Sequence, residues 1–230
     1  MRVDVDKENP ALLQVIKDSD TTIFMDANFF MAPDRSALGI RALSFDWYRE
    51  AWLEPLFQIF GGLSVHESVY QELVADDVRR YADLKHSSSR LRIFRDASLS
   101  ARELALMQSY MAKIAPHSQY LPEKDNAKDR GEVRSLSYMA AKGFLYFAAN
   151  DALPVRLIEN AAILKTGLDG MGILKMYEVI HYLFKRGMSD GKSLRALYKY
   201  QYYLTQRERG QNPGWGEFLN LLDALYGQYV

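Results

Sequence analysis

Asp26 ends the apolar run Thr21-Thr22-Ile23-Phe24-Met25, and Asp151 follows the apolar run 144–149 in the same way. A carboxylate placed straight after a buried segment is costly unless it is solvated, paired or bound to a metal ion. Two more acids lie where helices would bring them to the same edge. Glu72 sits in the helical stretch after Leu63-Ser64-Val65, and Glu132 opens the one before Phe144. Asp129, three positions before Glu132, can share its face. Carboxylates converging on one edge repel each other strongly. A divalent cation relieves this: Mg²⁺ and Mn²⁺ take oxygen ligands, and Mg²⁺ keeps several waters. One or two such ions activate water and neutralise a phosphodiester, so the expected chemistry is metal-dependent phosphoryl hydrolysis of nucleic acid. The competing reading makes Asp26, Asp151 and Asp129 helix caps, Glu132 a favourable first-turn acid and Glu72 a solvated helix residue.

Positioning these acids requires short strands alternating with amphipathic helices. Strands are expected over 21–25, 63–65, 91–94, 144–148 and 162–165. Helices are expected from Pro10 to about Lys17, over 67–85, from a Ser100–Glu103 capping box towards Pro116, over 131–142 with Gly143 closing it, over 153–160, and from about Gly170 to Arg186. The aromatic segment 33–60 reads as helical with a break near Pro55. This alternation predicts an α/β fold, a three-layer α/β/α sandwich with a central parallel sheet, plus a helical insert and a helical C-terminal extension. In such sheets the ligand site lies beyond the carboxyl ends of the strands, where Asp26 and Asp151 fall. Residues 1–188 form the expected main domain, with the insert at about 33–60, and 189–230 a helical extension packed on it.

The order of these segments resembles a PIN-domain nuclease. The resemblance rests on Asp26 with Asn28 two residues on, on Ser64-Val65-His66-Glu67-Ser68-Val69-Tyr70-Gln71-Glu72-Leu73, and on Asp129-Arg130-Gly131-Glu132 with the helix to Gly143. It continues through Phe144 to Asp151, Gly170-Met171-Gly172-Ile173-Leu174 and the helix to Met188, covering about residues 21 to 188. It implies that Asp26, Glu72, Glu132 and Asp151 form an acidic catalytic quartet binding Mg²⁺ or Mn²⁺, with Asp129 an accessory acid. Asn28 and Asn150 would support the site or touch substrate. The implied activity is endoribonuclease cleavage leaving a 5′-phosphate and a 3′-hydroxyl, often as the toxin of a toxin–antitoxin pair. The implied partners are an RNA substrate, an antitoxin or other protein, and a second copy in a homodimer. The long aromatic segment 33–60 and the tail after Met188 depart from compact members of the family.

Composition sets bounds on these expectations. The chain has 230 residues, 29 Lys+Arg against 29 Asp+Glu, and no cysteine. Zero net charge argues against a protein that coats nucleic acid by bulk charge, and the absence of cysteine excludes disulfides, thiolate metal sites and a Cys nucleophile. The first residues, MRVDVDKENP, show no signal peptide and no apolar run is long enough for a membrane helix, so the expected compartment is the cytoplasm. His66, His86, His117 and His181 form no zinc spacing, and the serine-hydrolase and P-loop motifs are absent. A phosphatase with an aspartyl nucleophile wants Asp-x-Asp, and Asn28 occupies the second position. Arg130 and Arg134 are the cations nearest the expected site. The tail from Lys185 to Arg209 is basic with interleaved tyrosines; its two readings are a single-stranded RNA platform or a solvated basic face with the tyrosines packed inward. The alternative to an enzyme is a silent PIN-like interaction module, with Trp47 and Trp52 as interface anchors if exposed.

Overall fold

A computed structural model describes residues 2–230. The architecture is α/β, with a five-strand, all-parallel central sheet and helices around it, the three-layer arrangement expected. The strands are β1 (Ile23–Met25), β2 (Leu63–His66), β3 (Arg92–Phe94), β4 (Tyr146–Ala149) and β5 (Gly172–Lys175), in the order β3-β2-β1-β4-β5. Every residue of β1 and β2 is buried; β1 is a continuous apolar run, whereas β2 buries Ser64 and His66 along with Leu63 and Val65. The strand order reverses between β1 and β4, which makes the gap beyond their carboxyl ends the topological switch point of the sheet.

The chain divides into two compact units. One comprises Thr21–Phe30 and Gly62–Ile173; the other comprises the residues up to Asp20, Met31–Gly61 and Leu174–Val230. The boundary drawn at residue 188 from sequence does not coincide with this division, since the aromatic segment and the C-terminal helices cluster together. All the candidate site residues belong to the first unit. Its core gathers Phe24 and Phe147 from the sheet with Met107 and Ile114 of the helix Ala101–Ile114 and Val133 and Leu136 of the helix Arg130–Lys142. Phe24 sits at the centre of an aromatic group, 5.1 Å from Phe94 and 5.0 Å from Phe144 between ring centroids. The Ser100–Glu103 capping box forms as expected, and Gly143 closes its helix at φ 74°.

Three expectations need correction. Residues 161–164 form a short helix, not a strand, and Lys165 ends it at φ 56°. Ala161 and Ala162 are strong helix formers, which outweighs the short apolar run. The strand lies instead at Gly172–Lys175, inside what the periodicity assigned to a helix, and the helix starts only at Met176. The stretch 67–85 is two helices, Glu67–Glu72 and Asp76–Ser87, the second opened by Asp76 and Asp77.

In the other unit, Pro55 causes no break. A π-type turn over Arg49–Leu53 joins Phe45–Tyr48 to Glu54–Ile59 and absorbs the proline's missing N–H within a continuous helical path. Trp52 is buried and Trp47 half-buried. The tail is helical over Gly191–Tyr202, Gln206–Gln211 and Trp215–Tyr226. Tyr198 and Tyr202 are buried, Tyr198 stacks on Phe218 at 4.2 Å, and Lys192, Arg195 and Lys199 face solvent. The tyrosines are therefore core, and the basic residues form a solvated face. His181 is also buried and bonds Asp223 through Nε2 at 2.8 Å.

Candidate functional site

β1 and β4 pair in register, with Met25 opposite Ala148, and the Asp26 N–H donates to the Ala148 carbonyl at 2.9 Å. This pairing carries Asp26 and Asp151 out of the sheet at one edge. Glu132, in the first turn of the helix Arg130–Lys142, meets them there. Carboxylate oxygens of Asp26, Glu132 and Asp151 all lie within 4.8 Å of one another. Asp151 occupies the N-cap position of the helix Ala152–Glu159, yet its side chain makes no capping hydrogen bond. The capping reading therefore fails for Asp151, whose carboxylate belongs to the acidic group.

Asp26 is held by the short helix Ala27–Phe30 that follows it. Its Oδ1 accepts the Ala27 N–H at 2.8 Å, and its Oδ2 accepts the Asn28 amide at 2.5 Å. The Asn28 carbonyl oxygen in turn accepts the Asn150 N–H at 2.9 Å. Asn28 thus bridges the ends of β1 and β4 and fixes the separation of Asp26 from the segment carrying Asp151. Asn150 enters this bridge through its backbone.

Glu72 ends the helix Glu67–Glu72 and reaches the same region from β2's side. Its Oε1 accepts the Gly131 N–H at 3.0 Å. Only a glycine allows this approach, because a Cβ at residue 131 would lie 2.6 Å from that oxygen. Asp129 stands apart from the group of three. Its backbone is left-handed, at φ 57°, and its carboxylate accepts the Gln119 N–H at 2.8 Å rather than capping the helix.

The electrostatics record the crowding. Burial, then the Glu132, Asp151 and Glu72 carboxylates, hold Asp26 well above the usual aspartate range. Burial raises Glu132 as well, with Asp129 and Asp151 adding to it. Glu72 is pushed up to about 7, by burial first and by Glu132 next. A set of oxygen donors that resist ionising together suits a hard divalent cation, whose charge would offset theirs.

No family model, no curated protein and no solved structure matches the chain. The site therefore stands on its own geometry.

Of the two arginines expected to touch substrate, Arg134 is tied to Asp96, whereas the charge of Arg130 still acts on Glu72. The Arg134 guanidinium pairs with Asp96 and lies 3.6 Å from Asp125. Arg130 lies 3.7 Å from Asp125. Asp96, absent from the sequence reading, joins the elements that carry Glu72 and Glu132. Its Oδ1 bonds His66 Nε2 at 2.9 Å, and the other oxygen meets Arg134. His66 caps the helix Glu67–Glu72: its Nδ1 accepts the Ser68 N–H at 3.3 Å, which assigns the Nε2–H tautomer. Glu67 closes the arrangement by accepting the Asp96 N–H at 2.8 Å. Burial raises the Asp96 carboxyl, but His66 and Arg134 together outweigh that and hold it below the usual range. His66, Glu67 and Asp96 could be grouped as metal donors, but the Arg134 guanidinium already supplies the positive charge there. The position of His66 at the end of β2 was the one sequence signal for this network.

Proposed function

We propose that the protein is a Mg²⁺- or Mn²⁺-dependent nuclease of PIN type, acting on RNA. The observation that carries this reading is the convergence of the Asp26, Glu132 and Asp151 carboxylates within 4.8 Å at the sheet's switch point. The donor set fits the ion: all ligands are oxygens, they come from three separate chain segments, and burial together with neighbouring carboxylates makes Asp26 and Glu132 resist ionising.

Asp26, Glu132 and Asp151 would hold the cation. When bound, the ion supplies a water of lowered pKa and neutralises charge on the reacting phosphate. Asn28 keeps the Asp26 carboxylate aimed by donating to Oδ2. Glu72, anchored on the Gly131 N–H, lies outside the group of three and would serve as a proton acceptor near the cation rather than as one of its ligands. Asp96 and His66 act through the helices that carry Glu72 and Arg134, and so position rather than react. Attack in line on phosphorus would leave a 5′-phosphate and a 3′-hydroxyl, the products the PIN resemblance implies.

The test is Mn²⁺ titration calorimetry on the wild type, Asp26→Asn and Asp151→Asn, followed by an RNA-cleavage assay with Mg²⁺ and Mn²⁺. Binding and cleavage in the wild type, both lost in each variant, support the reading. Absence of wild-type cleavage with either ion refutes it.

A further inference from the structure

A cleft of about 610 Å³ opens beside the carboxylates, a volume in the range of small-ligand sites. Lys128 and Asp129 form its rim, and Ala152, next to Asp151, lies at its near end. One wall is the turn Pro116–Gln119; the other is the face of the helix Ala152–Glu159 bearing Leu153 and Arg156. Hydrogen bonds stitch the walls together. Arg156 donates to the His117 carbonyl at 2.6 Å, His117 Nε2 donates to the Leu164 carbonyl at 2.9 Å, and Asp129 accepts from the Gln119 N–H at 2.8 Å. The cleft is thus held open by contacts internal to the fold. The Asp129 contact links its wall to the helix that carries Glu132.

Its lining is of two kinds. Pro116, Leu153 and Leu164 offer apolar surface, whereas Lys128 and Arg156 bring positive charge. Arg156 is five residues from Asp151, about 7.5 Å along the helix axis, the scale of one backbone step of a nucleic-acid strand. Lys128 and Arg156 are the cations lining the cleft; Lys128 lies 3.6 Å from Asp129 but is mostly exposed, and Arg156 uses one guanidinium nitrogen on the His117 carbonyl. A flat ring on an apolar wall beside a phosphate on cations is how sequence-tolerant single-strand sites are built.

We propose that this cleft seats the nucleotide adjoining the reacting phosphate of a single-stranded nucleic acid, its phosphate on Lys128 and Arg156 and its base against Pro116, Leu153 and Leu164. The word adjoining rests on the nuclease reading; the binding itself does not. The test measures fluorescence anisotropy of labelled oligo(U), oligo(dT) and a blunt duplex on the full chain, in EDTA, over a series of salt concentrations. Both single strands, or one of them, should bind and the duplex should not; oligo(U) alone assigns RNA, and oligo(dT) alone assigns DNA. Lys128→Ala with Arg156→Gln should weaken binding about tenfold or more and lower the slope of log K against log salt by about 1.4, the value for two lost phosphate contacts on a single strand. Arg156→Lys, which keeps the charge, should restore most of the Arg156 share of that slope. An unchanged slope, a duplex bound as tightly as a single strand, no binding at all, or Arg156→Lys behaving as Arg156→Gln overturns the proposal. Hydrolysis of both single strands with Mn²⁺ is scored separately. No hydrolysis with the slope change intact removes the nuclease and keeps the cleft, whereas hydrolysis with an unchanged slope does the reverse.

Discussion

Glu72 makes the metal-free protein lose stability as pH rises. Its carboxyl ionises near 7 in the native state, against an ordinary value of 4.5. Between these values the unfolded chain has released the proton and the folded chain still holds it. The unfolded state then binds fewer protons, so the free energy of unfolding falls with increasing pH and levels off above about pH 7. At about 1.36 kcal/mol per pH unit, a fully dehydrated group would contribute about 3.4 kcal/mol. Glu72 retains some contact with water, which brings the expected effect to about 1–2 kcal/mol. Glu72→Gln removes the titration and keeps an oxygen that accepts the Gly131 N–H. Urea unfolding in EDTA should therefore show the variant gaining about 1–2 kcal/mol on the wild type between about pH 5 and about pH 8. Asp26 and Glu132 are present in both proteins, so the change in the difference reports Glu72 together with the part of the Asp26 shift that Glu72 causes. A stability difference that is the same at both pH values would refute the reasoning, because it would place Glu72 in ordinary solvent.

Mn²⁺ at about a hundred times its dissociation constant should stabilise the wild type by about 2.7 kcal/mol, and thermal unfolding should show no such gain for Asp26→Asn or Asp151→Asn. Gly131→Ala places a methyl group 2.6 Å from Glu72 Oε1; because a flexible side chain yields first, urea unfolding should change by less than about 1 kcal/mol. Asp96→Asn breaks the contact with Arg134 and weakens the one with His66, and should cost about 1.5–3 kcal/mol in urea unfolding. Replacing Lys192, Arg195 and Lys199 together by alanine should leave oligo(U) anisotropy unchanged, since the tyrosines beside them are packed inward and offer no stacking surface.

The ends of the first and fourth strands were legible because a carboxylate after a fully buried run is conspicuous, and β1 and β4 end where Asp26 and Asp151 implied. Glu132 followed from its place in the first turn of a well-marked helix. β5 was hidden: Gly172-Ile173-Leu174-Lys175 holds too few apolar residues to show a period of two, and the strong helical pattern of 176–185 begins at its end. The Asp96 network was hidden for another reason. Its partners are 30 positions away at His66 and 38 at Arg134, and no local spacing reports a link made only by tertiary packing. The same holds for the cleft, whose walls come from segments that share no motif. Sequence reading chose Arg130 and Arg134 by their nearness in the chain to Glu132, a criterion blind to Asp125 and Asp96.

The interleaving of the two compact units dictates an order of assembly during synthesis. The unit with the acidic residues is complete once Ile173 has been added, whereas the other waits for Leu174–Val230. A ribosome adding roughly 5–20 residues per second leaves an interval of seconds in which the clustered carboxylates can come together while Met31–Gly61 is still without its later partners. The buried Trp52, Phe57 and Tyr48 of that waiting segment are then uncovered. A nascent chain halted within the last helices would thus carry a formed carboxylate cluster together with an apolar segment exposed to chaperones.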